Sequence, residues 1–279
     1  MVIVVLGSHG SGTTLIGQML HLSGVNMGSF DVGMTYDDGN QYERHRVVAI
    51  NRRLLEGSLI HTARFHKQKS FLPEVNQAGY APNQDSLSIV RKLPAKLPLQ
   101  EQKEMERLVQ DLDEKYKDWG FKDPRTCLTY HLWHEVLPQH KVIIIYRDYK
   151  ELLQRYHLVG WRMFNIPRYF RLLHVWTFYN LSIMKYLELF NVPAIVISHR
   201  HLMQDPAEFN RLESFVDREL MDLRDPTLYR SHASTGYRFR WLESLLQPFL
   251  PEPSQKVYQI LEQKRRSMIL NEAGFCKHR

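Results

Sequence analysis

The sequence VIVVLGSHGSGTT at residues 2–14 joins a strand pattern to a glycine-rich loop, and this order sets the fold class. Val2 to Leu6 is a continuous run of apolar, mostly β-branched residues, which is typical of a strand buried on both faces of a sheet. The glycine-rich loop, residues 7–14, follows at once. Apolar residues then recur at helical spacing from Leu15 to Leu22, and Gly24 follows as a C-terminal stop. The start of the chain therefore predicts a strand, a loop and a helix in direct succession.

The composition of the loop, GSHGSGTT, is typical of a phosphate-binding turn. Glycines let successive backbone N–H groups point at one anion, and the N-terminus of the following helix adds a partial positive charge. We therefore predict that Gly10, Ser11, Gly12, Thr13 and Thr14 bind the phosphates of an adenine nucleotide. The loop departs from a standard Walker A motif because Thr13 stands where that motif has lysine. The alternative is a tight structural turn without a ligand.

Two later segments repeat the pattern of a buried strand, Lys141 to Tyr146 and Pro193 to Ser198. Helical patterns occur between and around them, at residues 42–55, 101–116, 128–137, from 150 onwards, 171–190 and 207–215. Buried strands that alternate with helices indicate a parallel sheet covered on both faces. We predict an α/β protein with a P-loop-like, three-layer fold, in which helices flank a central parallel sheet. Residues 1–279 are expected to form one domain, with an inserted excursion at about 56–118.

The charge balance favours a small anionic ligand. Among 279 residues there are 37 Lys+Arg and 30 Asp+Glu, which gives a net charge of +7 with neutral histidines. These basic residues are dispersed, whereas a nucleic-acid binder gathers them on one face, so no nucleic-acid partner is expected. No apolar run approaches the roughly 20 residues of a membrane-spanning helix. With only two cysteines, Cys127 and Cys276, the sequence predicts a cytoplasmic protein without a disulfide framework.

Four further segments follow the loop in a recognisable order. They are GNQYE at residues 39–43, FKDPR at 121–125, VIIIYRD at 142–148 and HLMQDP at 201–206. Together with the loop they resemble the sulfotransferases that use 3′-phosphoadenosine 5′-phosphosulfate (PAPS). The sequence is most similar to bacterial members with a loop of the form G-x-H-R-S-G-T-S and an F-K-D-P-R segment.

This resemblance implies a reaction and roles for several residues. A sulfuryl group would pass from PAPS to a hydroxyl, or an amine, of a small-molecule or glycan acceptor, leaving the bisphosphate PAP and requiring no metal. The resemblance assigns the 3′-phosphate to Arg147 and the base to Glu43. His9 is the second candidate base, because an imidazole with its ordinary pKa near 6.5 suits proton transfer. A solvated Glu43 at a helix start and a His9 that only packs or binds phosphate remain the alternatives.

The sequence departs from the family pattern at two positions. Gly10 stands where the family has Lys or Arg, and Arg155 stands where it has a serine for the 3′-phosphate. Arg155 would bind that phosphate through charge-assisted bonds or point into solvent. Arg238 is a further candidate, in a basic and aromatic segment that either covers the 3′-phosphate or begins a solvated helix. The two departures, Gly10 and Arg155, suggest a non-catalytic nucleotide-binding relative as one alternative. The other is a P-loop kinase or NTPase of unusual sequence, which Thr13 in the lysine position disfavours.

The FKDPR segment has two interpretations. Lys122 and Arg125 would add positive charge near the donor or acceptor, or Asp123 and Arg125 would form a buried ion pair that fixes a loop. The histidine pairs at 131/134 and 199/201 lack the acid or cysteine neighbours of a metal site and are interpreted as packing.

Overall fold

A computed structural model describes residues 1–28, 42–60, 89–155, 166–225 and 244–276. Three features discussed from the sequence lie outside these residues: residues 39–41 of the GNQYE segment, residues 61–88 of the excursion, and Arg238.

The described residues contain six strands in two sheets. The strands are β1 (Val2–Leu6), β2 (Leu59–Ile60), β3 (Ile89–Val90), β4 (Trp119–Lys122), β5 (His140–Tyr146) and β6 (Ala194–Ser198). β1, β4, β5 and β6 form a four-stranded parallel sheet in the order β4-β1-β5-β6. The three strands predicted from apolar runs are confirmed. The sequence did not predict β4 as a strand, and it pairs with β1.

Helices connect these strands and follow the predicted pattern within a few residues. They are α1 (Thr13–Leu22), α2 (His45–Leu54), α3 (Leu99–Lys115), α4 (Thr126–His134), α5 (Tyr149–Arg155), α6 (Ile166–Leu189), α7 (His199–Gln204), α8 (Pro206–Val216) and α9 (Ser254–Cys276). The sequence predicted neither α7 nor α9, and α9 packs against β6 and α6.

Both faces of the parallel sheet are covered. Alternate residues of β1 point to opposite faces, so Val4 belongs to one core cluster and Ile3 to the other. The larger cluster contains buried residues of α2 to α6 and α9, and the smaller contains residues of α1, α7 and α8. Full burial of one such aliphatic side chain stabilises the fold by about 1.5–3 kcal/mol. Helix, sheet and helix thus form three layers, and the predicted fold class is confirmed.

Two short strands within the excursion pair with each other. β2 and β3 are antiparallel, with Leu59 opposite Val90. α3 buries Met105, Leu108, Val109 and Leu112, as its amphipathic pattern predicted. Among the described helices, none is both long and apolar enough to cross a membrane.

Candidate functional site

The topology brings the sequence motifs to one edge of the sheet. Because β1, β4, β5 and β6 are parallel, the residues after their carboxyl ends share that edge. The glycine-rich loop follows β1, Asp123 follows β4, Arg147 follows β5 and His199 follows β6. β1 lies between β4 and β5, which come later in the chain, so the loop sits where the strand order reverses. Such switch points are the usual ligand crevices of open α/β sheets.

The glycine-rich loop is a tight turn that leads directly into α1. Gly10 and Gly12 have φ angles of 78° and 105°, a region that residues with a Cβ rarely adopt. The Ser11 amide donates to the Ser8 carbonyl at 3.1 Å, so this amide is used inside the turn. α1 begins at Thr13, and the amides of a helix's first turn have no acceptor within the helix. They are the groups that bind anions at helix N-termini.

The inner side of the loop is anchored to the core. The Gly7 amide donates to the Cys127 thiol at 3.2 Å, and a Cβ on Gly7 would lie 2.5 Å from the Ile145 carbonyl oxygen. Burial raises the pKa of Cys127, so the thiol stays protonated and packs as an apolar group. Among the described residues, the buried hydroxyls of Ser8 and Ser11 have no hydrogen-bond partner. An unpaired buried hydroxyl costs about 1–3 kcal/mol, which an anion in this turn would offset.

One side chain lies between this loop and the end of β5. A Cβ on Gly12 would overlap the His199 ring and lie 3.1 Å from Ile145 Cδ1, so only glycine fits there. His199 is 5% exposed. Arg147 Nε donates to His199 Nδ1 at 3.2 Å, which brings the predicted phosphate ligand next to the loop. The sequence interpretation of His199 as ordinary packing missed this arrangement, and its place directly after a buried strand was the available signal.

Arg147 has two further fixed contacts. Its carbonyl oxygen accepts from Trp176 Nε1 at 2.9 Å, and its Nε lies 3.7 Å from a carboxylate oxygen of Glu151, one turn along α5. Trp176 is buried, as predicted for a core residue. Asp148 accepts a 2.8 Å bond from the Lys150 amide, and burial raises the pKa of its carboxyl. Asp148 therefore caps the N-terminus of α5.

Glu43 lies on the other side of the loop, against the end of β4. The neighbouring Arg44 donates to the carbonyl oxygens of Gly120 at 2.8 Å and Asn26 at 2.6 Å, which ties the start of α2 to β4. Glu43 Oε1 lies 2.7 Å from Lys122 Nζ, and the two side chains are 14% and 2% exposed. Glu43 is thus a largely buried, ion-paired carboxylate, and the alternative of a solvated residue is wrong.

The charges of the FKDPR segment form one network with Glu43. Arg125 Nη1 lies 2.7 Å from Asp123 Oδ1 and 3.9 Å from Glu43 Oε2. Asp123 and Arg125 are both buried, so the predicted ion pair between them is confirmed. Asn51 donates to Asp123 Oδ2 at 2.8 Å and to Thr126 Oγ1 at 2.9 Å. The segment thus has a structural role, while Lys122 contacts the candidate base.

The remaining candidates are less completely placed. His9 is half-buried, with its ring centroid 5.7 Å from that of Tyr179 on α6. Arg155 ends α5, but its side chain lies outside the described part of the structure, as does the whole of Arg238. In the described ranges, no group of three or more His, Cys, Asp or Glu residues could hold a metal ion. His131 bonds to Tyr186 Oη at 3.0 Å and to the Pro94 carbonyl at 2.7 Å, as expected of a packed histidine.

Comparison with known proteins gives a likeness of fold. No family model and no curated protein matches the sequence. The sulfotransferase domain of a Synechococcus olefin synthase aligns at 16% identity and a TM-score of 0.45, covering 94% of this chain and 93% of that one. A Mycobacterium tuberculosis sulfotransferase aligns at 14% identity and a TM-score of 0.45, covering 89% of this chain and 76% of that one. A sulfotransferase from Mycobacterium avium aligns at 15% identity and a TM-score of 0.46, covering 88% of this chain and 74% of that one. At such values, evidence about activity must come from this chain's own residues.

Proposed function

We propose that this chain is a PAPS-dependent sulfotransferase that acts on a hydroxyl, or an amine, of a small-molecule or glycan acceptor and releases PAP. One observation carries the proposal. The glycine-rich loop lies at the strand switch point, with Glu43 and Lys122 on the β4 side and Arg147 on the β5 side. The motifs behind the sequence resemblance are far apart in the chain, yet they meet along this edge. We further propose that residues 1–279 act as one domain, in the cytoplasm and without a metal.

The residues of the loop suit an anionic donor. The amides of Gly12, Thr13 and Thr14, together with the hydroxyls of Ser8 and Ser11, would bind the 5′-phosphosulfate. Arg147 would bind the 3′-phosphate, since a guanidinium makes charge-assisted bonds to phosphate oxygens. The bound nucleotide supplies an activated sulfuryl group. As the bond between sulfur and the bridging oxygen breaks, negative charge develops on that oxygen of the departing nucleotide, and these hydrogen-bond donors would stabilise it.

Glu43 is the proposed base for the acceptor. Its carboxylate is held by Lys122, so its position is fixed before an acceptor binds. Lys122 ends β4 and pairs in register with Val5, just before the loop, so the ion pair with Glu43 lies beside the donor site. His9 remains the second proposed base.

Calorimetry with three nucleotides tests the donor site. We expect PAP to bind about a hundredfold more tightly than adenosine 5′-phosphate, which is about 2.7 kcal/mol. Magnesium-dependent ATP binding tighter than PAP binding would instead favour a kinase or NTPase and overturn the proposal.

A transfer assay tests the reaction. Labelled sulfate should pass from PAPS to at least one member of an acceptor panel, and Glu43→Gln should slow this transfer by about 10²–10⁴-fold while PAP still binds. PAP binding without transfer to any acceptor would identify a non-catalytic relative and contradict the enzyme assignment.

A further inference from the structure

His199 touches both the glycine-rich loop and Arg147, and no role proposed so far requires either contact. Its ring packs so closely on Gly12 that a methyl group there would overlap it. The same ring accepts the hydrogen bond from Arg147 Nε at 3.2 Å. His199 is 5% exposed, so the ring is enclosed and cannot swing away from either neighbour without disturbing the packing.

The hydrogen bond fixes how Arg147 is presented. Nη2 of Arg147 also lies 2.9 Å from His199 Nδ1 and contacts Nε2, so the Nε–Nη2 edge of the guanidinium faces the ring. An imidazole nitrogen that accepts carries no proton, so His199 Nδ1 acts as the acceptor in the bond from Arg147 Nε. The backbone of Arg147 is held separately by Trp176. A phosphate would therefore meet the guanidinium from the Nη1 side, in an orientation that His199 sets.

A competing partner is close to Arg147. Glu151 Oε2 lies 3.7 Å from Arg147 Nε, at the i,i+4 spacing that favours ion pairs on a helix. Without an acceptor at His199, the guanidinium would lose its second partner and could pair more closely with this carboxylate. An arginine paired with a carboxylate loses part of its attraction for phosphate, because the net local charge falls.

We propose that His199 is a positioning residue for the donor nucleotide. It holds the Nε–Nη2 edge of Arg147 against its own ring, beside the glycine-rich loop, so that one nucleotide can reach the loop with its 5′-phosphate and Arg147 with its 3′-phosphate. His199 thereby determines the preference for a 3′-phosphorylated nucleotide. This inference rests on the proposed function, since it concerns the same donor site.

The test compares two substitutions by calorimetry with PAP and adenosine 5′-phosphate. His199→Phe keeps a ring over Gly12 but removes the acceptor. His199→Asn places a carboxamide oxygen near the position of Nδ1 and keeps the acceptor. The measured quantity is the ratio of the two nucleotide affinities, which general destabilisation would leave unchanged.

We expect a ratio of about a hundredfold for the wild type and about tenfold or less for His199→Phe, with adenosine 5′-phosphate binding unchanged. His199→Asn should keep most of the wild-type ratio. An unchanged ratio in His199→Phe, or an equal loss for both nucleotides, would overturn the inference. A wild type without any preference would instead refute the proposed function.

A third substitution keeps the inference testable if His199→Phe does not fold. Glu151→Gln removes the competing carboxylate and leaves His199 in place, so the ratio should stay at the wild-type value or rise. A fall in the ratio would mean that Glu151, and not His199, positions Arg147, and would overturn the inference.

Discussion

Replacing Gly12 by alanine should destabilise the protein through two separable effects. The first is conformational, because Gly12 has φ of 105° and an L-residue in the left-handed region costs about 1–2 kcal/mol. The second is steric, because the new methyl group would overlap the His199 ring and lie 3.1 Å from Ile145 Cδ1. His199 is held by Arg147 and cannot easily give way, so overpacking adds about 1–3 kcal/mol.

Gly57→Ala is the matched control for the conformational effect. Gly57 also has positive φ, 73°, but a Cβ there would meet no atom of the described residues within 4 Å. Both substitutions should lower the free energy of unfolding, measured by urea denaturation, and Gly12→Ala should lower it by about 1–3 kcal/mol more. In thermal unfolding, each kcal/mol of this difference corresponds to a difference in Tm of about 2–4 °C.

Equal losses for the two variants would refute the close contact between the loop and His199. A larger loss in Gly57→Ala would refute it more strongly. PAP binding adds an independent readout, because a displaced His199 should weaken PAP binding in Gly12→Ala and leave it unchanged in Gly57→Ala.

Three further predictions concern the base, a buried polar network and pH. Glu43→Gln should lower kcat by about 10²–10⁴-fold, because the Glu43 carboxylate is the group proposed to take up the acceptor's proton. PAP affinity should stay unchanged, and a loss of PAP binding in calorimetry would contradict this role. Asn51→Leu should lower the free energy of unfolding, measured in urea, by about 3 kcal/mol or more. The substitution removes the hydrogen bonds that Asn51 makes with the Asp123 carboxylate and the Trp133 indole N–H, and leaves both groups buried without them. A loss below about 1 kcal/mol would argue against the network. Burial lowers the pKa of several histidines in the folded protein. As the pH falls below their unfolded pKa of about 6.5, the unfolded chain takes up protons that the folded protein does not, so stability decreases. The urea midpoint should therefore be lower at about pH 5.5 than at about pH 7.5, and an equal midpoint at the two pH values would refute this prediction. These histidines are His131, His134, His140 and His174.

The central strands could be predicted because burial on both faces forces continuous apolar sequence. β1, β5 and β6 each show such a run. β4 lacks it, since Gly120 approaches the Ile3 carbonyl too closely for a side chain and Lys122 is buried only through its ion pair with Glu43. The features that hide this strand from pattern analysis are contacts with residues far away in sequence.

Long-range pairing also explains why α9 was missed. Its charged run at residues 264–266 resembles a solvated surface, yet Arg265 is buried. Arg265 bonds to Glu208 at 3.2 Å, and Glu262 accepts a 2.6 Å bond from Tyr146 at the end of β5. A helix that buries paired charges has fewer apolar residues on its buried face, so its sequence shows only a weak apolar pattern. The residues that pair with those charges cannot be assigned before the sheet is known.

The candidate site was predictable residue by residue, but its geometry was not. The loop, Glu43, Lys122 and Arg147 could be selected from local motifs. The pairing of Glu43 with Lys122 spans 79 positions in the chain, and the place of His199 depends on how β6 aligns with β5. Neither relation leaves a local pattern in the sequence.

A crystal structure of the chain with bound PAP tests the donor site most directly. We expect the 5′-phosphate at the amides of Gly12, Thr13 and Thr14, and the 3′-phosphate within hydrogen-bonding distance of the Arg147 guanidinium. A nucleotide bound elsewhere, or one whose two phosphates both lie away from the loop and Arg147, would contradict the assignment of this edge of the sheet as the donor site.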